Sequence, residues 1–304
     1  ALLVTLGERG RVDLGLLAHL LHRKPAEFLP DLQGAIFLNP QTDLWETEDE
    51  YLSGNVRAKL AVAQAAALAD RQFQPNVDAL RQVQPADLPA SEIDARLGSA
   101  WVPAGDISRF AEELLGEEGI SVCHAPQLGL WTVQGGYGAR FSVANTAEWG
   151  TDRRGALELL EDALNLRTPT VYDHDPATDR EVINAPATEA ARDKQEKLKE
   201  RFKQWVWQDD ERRERLARKY NDEFNNVRLR SFNGDHLRLP GASSAITLHP
   251  HQRAAVWRIL QTPNCLLAHV VGAGKTYTMV AAAMELKRLG LARKPLFAVP
   301  NHML

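Results

Sequence analysis

The sequence predicts a mixed α and β fold: a mainly helical accessory region with small antiparallel elements, followed by the start of an α/β domain with an incomplete parallel sheet. Three observations predict it. Helix-forming patterns recur between residues 11 and 115 and again over 186–224. Residues 120–146 instead fall into short apolar runs separated by Gly129 and Gly135-Gly136. Residues 265–290 then run as a strand-length apolar stretch, a Gly-rich turn and a helix pattern.

The bulk properties agree with a folded chain. With 304 residues it is long enough for two domains, or one domain and part of another. Charged residues make up 25% and hydrophobic ones 44%, which excludes wholesale disorder, collagen and fibrous coiled coil. No run of 18 apolar residues and no secretory leader pattern is present, so no membrane partner is expected and the expected location is the cytoplasm. Cys123 and Cys265 lie outside any CxxC spacing and are expected as reduced thiols. Residue 1 is Ala rather than Met, and the expectation is a piece of a longer chain.

The elements follow in order. Residues 11–52 read as helix, turn, helix and hairpin, the hairpin turning at 39–43, which is the order of a winged-helix module over 1–70. Its acidic end, with Glu46, Glu48, Asp49 and Glu50, would repel phosphate, which favours a protein-contact or architectural role as much as a DNA-binding one. Residues 55–68, NVRAKLAVAQAAAL, are strong helix formers. Within a mixed accessory region over 71–185, helices are expected at 76–83, 91–97, 106–115 and 153–165, with a small antiparallel sheet over 120–146. A hairpin turns at Asp175-Pro176; its Asp173, His174, Asp175 and Asp179 read as turn residues rather than metal ligands.

Residues 186–240 read as a basic helical connector, two helices broken near 208–210. Leu198, Phe202, Trp205 and Val206 form one apolar stripe and Leu216, Tyr220 and Phe224 another. Residues 1–189 carry 15 Lys+Arg against 29 Asp+Glu, whereas residues 190–304 carry 21 against 11. The basic half is therefore a candidate polyanion surface, with Lys197, Arg201, Arg212 and Arg215 as candidate phosphate contacts. A solvated brace between domains is the competing reading. Residues 225–247, with Gly234, Pro240 and Gly241, mark a domain boundary.

The chemistry concentrates in residues 241–304. After the apolar run at 265–271 come Gly272-Ala273-Gly274-Lys275-Thr276 and a helix that stops near Gly290. Glycines let backbone N–H groups close around a polyphosphate, the helix start adds its positive dipole end, Lys275 supplies a charge and Thr276 a hydroxyl for magnesium. The arrangement predicts ATP and magnesium as cofactors, held by Gly272, Ala273, Gly274, Lys275 and Thr276, with Lys275 as the catalytic residue.

The strict nucleotide-loop pattern would place Gly at 269, where this chain has His269. The segment instead resembles the first motif of superfamily 2 helicases of the Swi/Snf-like and DEAD/DEAH types, which implies a RecA-like P-loop domain. Leu248-His249-Pro250-His251-Gln252 is similar to the helicase Q-motif, which implies that Gln252 pairs with adenine; an amide offers the donor and acceptor this needs. Residues 295–304 look like the second core strand and the start of motif Ia, which implies that Asn301 and His302 touch nucleic acid. The spacing of His249, His251, His269 and His302 fits no zinc pattern. Residues 45–60, 149–167 and 188–202 resemble the pre-motor region of large phage, plasmid and integrative-element proteins that join a DNA methylase to a helicase, some of them antirestriction factors. No NPPY-type methylase motif occurs here.

The resemblance implies an ATP-dependent DNA helicase or translocase acting on double-stranded DNA, partnered by further helicase lobes and by a methylase domain of the parent chain. No acidic Walker B motif follows the loop, so these 304 residues alone are expected to be inactive in hydrolysis. With few strands to cover the apolar run, the last 60 residues are expected to be the least stable part. The alternative is a non-motor DNA- or protein-interaction component whose nucleotide loop is vestigial.

Overall fold

In the computed structural model, which describes residues 1–176, 179–243, 245–262 and 264–299, the chain divides into two units. One is discontinuous, Ala1–Pro85 with Asn226–Leu304, and the other is Ala86–Asn225. The first unit opens with α1 (Leu2–Arg9), α2 (Leu14–Leu21) and the single turn α3 (Pro25–Phe28). Asp13 caps α2 by accepting the Leu16 N–H at 3.0 Å. A hairpin of β1 (Ile36–Asn39) and β2 (Leu44–Thr47) follows in the register Ile36↔Thr47 to Asn39↔Leu44. The order read over 11–52, two helices and a hairpin, is present as α2, α3 and β1–β2, with the unforeseen α1 ahead of it.

Next come the short α4 (Glu48–Tyr51), the two-residue β3 (Gly54–Asn55), α5 (Val56–Ala69) and α6 (Gln74–Gln82). Asn55 caps α5 through the Ala58 N–H at 2.9 Å. Phe37, Tyr51, Leu52, Val56, Val77 and Leu80 form the core here, with Phe37 and Tyr51 stacked at 5.2 Å. The acidic end of the hairpin is not turned to solvent as a free patch. Glu46 lies 3.9 Å from Lys59, and Arg230 bonds Asp49 at 3.0 Å. Burial pushes the Lys59 ammonium below its ordinary range and the Glu50 carboxyl above its own; Glu46 opposes the first shift and Arg230 the second.

The second unit holds α7 (Ala104–Leu115), β4 (Ser121–Ala125), β5 (Leu130–Gln134), α8 (Tyr137–Phe141) and α9 (Ala156–Leu164). It continues with β6 (Tyr172–Asp175), β7 (Arg180–Ile183), the long α10 (Ala185–Trp205) and α11 (Asp210–Glu223). Asn184 and Asp209 cap α10 and α11 through the Ala187 and Arg212 N–H groups. The sheet expected over 120–146 reduces to β4 and β5, paired from Ser121↔Gln134 to Ala125↔Leu130. Residues 91–97 are not a helix: beyond the turn at Ala90–Glu92, Ile93, Ala95 and Leu97 are all buried, an alternation that only extended backbone delivers.

The stripe of α10 and the first residue of the α11 stripe, Leu216, enter the core of this unit, whereas Tyr220 is half-buried and Phe224 is exposed. Phe202, Trp205, Val206 and Leu216 join Phe110, Leu115, Trp131 and Leu157 in one cluster, while Leu198 packs with Leu159, Val171 and Ala191. The helices expected as a separate connector are therefore part of the unit that begins at Ala86.

The chain re-enters the first unit at β8 (Val227–Arg228), which pairs antiparallel with β3, and then forms α12 (Pro250–Gln261) and α13 (Lys275–Arg288). Leu6 of α1 packs with Leu237, Leu248, Val256, Trp257, Leu260 and Ala282. Gln261 donates to the Gly10 carbonyl at 2.7 Å, and Arg288 donates to that of Gly7. The expected parallel sheet is absent among the described residues: all four ladders are two-stranded and antiparallel. Residues 265–271 and 295–299 enter no ladder. A strand needs a lateral neighbour for its N–H and C=O groups, and the apolar run has none there.

Candidate functional site

The turn at 272–276 is built by two helix starts that face one another. Gly274 is the N-cap of α13 at φ 75°, and Gly272 sits at φ 87°, both in the left-handed region that glycine occupies without strain. The φ of Gly274 is what calls for glycine; a Cβ there would also lie 2.3 Å from Nε2 of Gln252 and displace the end of that side chain. Thr278 locks the first turn of the helix: its N–H and Oγ1 both donate to the Gly274 carbonyl, at 3.0 and 3.2 Å. The leading N–H groups of α13 have no intrahelical acceptors by construction, so they are presented to whatever binds at its start.

Lys275 folds back over its own loop, its ammonium donating to the His269 carbonyl at 2.9 Å and the Val270 carbonyl at 3.0 Å. Thr276 follows it and is exposed. Gln252, buried at the third position of α12, has a structural employment. Its Oε1 accepts the His249 N–H at 2.9 Å, closing a capping box. Its Nε2 donates to the Ala273 carbonyl at 3.3 Å and lies 3.5 Å from that of Gly274. The structure therefore brings Gln252, Gly272, Ala273, Gly274, Lys275 and Thr276 together, with the amide engaging the loop itself.

Histidines surround this turn. The rings of His249 and His251 stack at 5.7 Å, and His269 meets His251 edge-on at 5.5 Å. Nε2 of His251 lies 3.1 Å from the Ala273 carbonyl. Beside the helix starts lies a cavity of about 580 Å³ lined by Leu248, Arg253, Tyr277, Ala281 and Met284, among others. No group of three His, Cys, Asp or Glu side chains suited to a metal ion exists among the described residues.

The basic helices are less available than their composition implied. Arg212 is buried, with its guanidinium 3.5 Å from the Trp205 ring centre, and it donates to the carbonyls of Val206 at 3.1 Å and Trp205 at 2.7 Å. It caps the end of α10, and this placement removes it from the candidate phosphate contacts. Arg215 is tied to the buried carboxylate of Asp106 at 2.6 Å, and this bond raises the guanidinium pKa above its usual range. Lys199 and Lys203 pair with Glu196 and Glu200, one turn back. Lys197 is exposed and Arg201 half-buried. Asn301 and His302 lie outside the described residues.

Sequence reasoning missed two groupings. One is the contact of His251 with the loop, for which the signal was its place beside Gln252 at the start of a helix. The other is the half-buried set Glu46, Glu50, Lys59 and Arg230, whose members are as far as 184 residues apart and share no local pattern.

Three segments match models of protein families. Residues 1–46 are similar to the winged helix domain of a probable helicase. Residues 245–304, which contain the loop, are similar to the type III restriction enzyme res subunit. Residues 96–226, nearly the whole second unit, match a domain of unknown function, DUF8437. No curated protein and no solved structure matches. Two segments, 1–46 and 245–304, are thus similar to helicase-type domains, and no helix among the described residues is long and apolar enough to cross a membrane.

Proposed function

We propose that this chain is the nucleotide-binding and accessory part of an ATP-dependent helicase or translocase that acts on double-stranded DNA. The observation that carries the reading is the turn at 272–276: two left-handed glycines open α13, and Lys275 holds its charge over the same loop. A triphosphate arriving there meets the helix start and draws the ammonium from two neutral carbonyls to an anionic oxygen, a stronger charge-assisted partner. Magnesium, when bound, neutralises phosphate charge; the exposed Thr276 hydroxyl is an oxygen donor of the type it takes. The cavity lined by Leu248, Arg253 and Tyr277, beside the starts of α12 and α13, has room for a nucleoside. The similarity of residues 245–304 and 1–46 to helicase-type domains supports the nucleic-acid half of the reading.

The parent assignment is carried by the resemblance of residues 45–60, 149–167 and 188–202 to methylase-helicase proteins. The competing reading, a non-motor interaction component with a vestigial loop, is favoured by one feature: the cations of α10 and α11 are largely consumed by local carboxylates and carbonyls.

Titration of the chain with magnesium-ATP separates these readings. Binding that weakens by about tenfold or more in Lys275→Ala, the loss expected of a charged hydrogen-bonding group, supports the motor. Equal affinity of the two proteins, or none in either, defeats it. Salt-sensitive DNA binding that drops in a Lys197→Glu, Arg201→Glu double variant supports DNA as the track, whereas indifference to DNA favours the interaction component.

A further inference from the structure

The turn at 272–276 is held by a second donor from α12, in addition to Gln252. Nε2 of His251 lies 3.1 Å from the Ala273 carbonyl, and Nε2 of Gln252 lies 3.3 Å from the same oxygen. A carbonyl oxygen has two lone pairs, so both bonds are accommodated. Because the acceptor is a carbonyl, the ring nitrogen that faces it carries the proton.

The consequence follows from the peptide plane. No cis bond occurs in the described chain, and in a trans peptide the C=O and the following N–H point in opposite directions. Anchoring the Ala273 carbonyl toward α12 therefore aims the Gly274 N–H away from α12, into the open side of the turn. Gly274 cannot fix that direction itself, since a glycine with φ 75° has the widest conformational freedom of any residue. The next peptide is fixed separately by Thr278 on the Gly274 carbonyl.

The His251 ring is in turn held on two sides. His249 stacks on it with the rings 8° from parallel, and His269 meets it at 83°. The backbone carbonyl of that same His269 accepts from Lys275. A ring at 251 thus links the start of α12, the run that precedes the turn and the turn itself. A histidine on the surface for solubility alone would need none of these contacts.

We propose that His251 is a positioning residue of the phosphate loop: by bonding the Ala273 carbonyl together with Gln252 it orients the Gly274 N–H toward the polyphosphate. This rests on the nucleotide-binding reading, and the experiment keeps the two apart by measuring the loop with and without ATP.

Two variants divide the ring from its proton. His251→Phe keeps an aromatic ring without the donor, and His251→Gln keeps a donor near the same place. Hydrogen exchange of the amides of 273–276 is followed in the ligand-free full chain, and magnesium-ATP affinity is measured on the same proteins. The expected result is exchange about two- to tenfold faster and ATP binding about two- to tenfold weaker in His251→Phe, the range for one neutral hydrogen bond, with both restored in His251→Gln. Thermal midpoints are expected to match, since the side chain is exposed; His251→Ala replaces His251→Phe if the latter fails to fold.

Wild-type exchange and affinity in His251→Phe overturn the proposal, as does His251→Gln behaving like His251→Phe. Faster exchange with unchanged ATP affinity also overturns it, because the contact would then be structural only. If the wild-type chain binds no ATP while His251→Phe still loosens the turn, the nucleotide reading fails and the anchoring of the turn stands.

Discussion

The core of the second unit and the segment around the turn at 272–276 use similar residues to opposite effect. Leu198, Phe202 and Leu216 are fully buried, whereas Leu266, Val270 and Val271 are 85%, 79% and 96% exposed. The difference lies in what the backbone requires. A helix satisfies its own N–H and C=O groups, so an amphipathic stripe needs only an apolar face to lie on, and α10 and α11 find one. An apolar run of strand length must first find a neighbouring strand, and residues 265–271 have none among the described residues. The contrast is confined to the run itself: α12 and α13, on either side of the turn, bury Val256, Trp257 and Ala282 in a core of their own.

The sharpest way to break this comparison is to truncate one residue from each region. Phe202 is fully buried and packs edge-on against Phe110 at 5.1 Å. Phe202→Ala is expected to cost about 3–5 kcal/mol, enough to unfold the second unit in a denaturant titration. Val271→Ala removes a side chain that is almost wholly in water and is expected to change stability by under about 0.5 kcal/mol. Comparable losses from the two would show that the apolar run is covered in solution, and the contrast would fail.

How much of this was legible follows the same division. The helix read over 55–68 appears as Val56–Ala69, and the pair read over 186–224 appears as Ala185–Trp205 and Asp210–Glu223, because helix caps and stripes are local signals. The hairpin read around Asp175-Pro176 appears as β6 paired with β7 up to Asp175↔Arg180, Asp before Pro being a local turn signal. Residues 91–97, expected as a helix, instead bury Ile93, Ala95 and Leu97 in alternation, a pattern of period two that the segment's length alone does not distinguish from a helical one. The left-handed turn ahead of α13 was legible from the spacing of Gly272 and Gly274. The engagement of Gln252 with Ala273 was not, since it spans 21 residues and depends on how two helix starts meet. Charge misled most: a Lys or Arg count cannot tell Lys197, in water, from Arg212, under a tryptophan.

That last distinction sharpens the comparison within a single surface. Arg212→Ala leaves the carbonyls of Trp205 and Val206 without their guanidinium and uncovers the Trp205 ring, and is expected to destabilise the second unit by about 1–3 kcal/mol. Arg212→Lys should recover only part, because an ammonium lacks the planar fork and the flat stacking face. Lys197→Ala, on the exposed side of α10, is expected to stay within about 0.5 kcal/mol of the parent. A thermal melt of the three variants checks the order. If Lys197→Ala proves as costly as Arg212→Ala, the basic face is structural throughout and offers no free cations to a polyanion.

The smallest expected effect concerns acid, and it tests the first unit alone. His236 meets Trp257 edge-on at 4.3 Å, and its Nε2 is buried with no hydrogen-bond partner. Burial holds its pKa below the ordinary imidazole value, with Asp49 and Asp235 opposing the shift. The folded ring therefore binds a proton less readily than the unfolded one. Its contribution is fully present above the ordinary histidine range and declines as pH falls through about 6.5 toward the lower folded value. Glu50, raised by burial, works in the opposite sense and lower, favouring the folded state until pH rises past the ordinary carboxylate range. Hydrogen exchange of the α12 amides in wild type and His236→Gln, followed from pH 7.5 to 5.5 at constant salt, isolates the histidine. The wild type should lose more protection than the variant across that interval. Parallel losses would mean that the ring is hydrated and that the packing of Trp257 on the α1 side of the unit is looser than its burial implies.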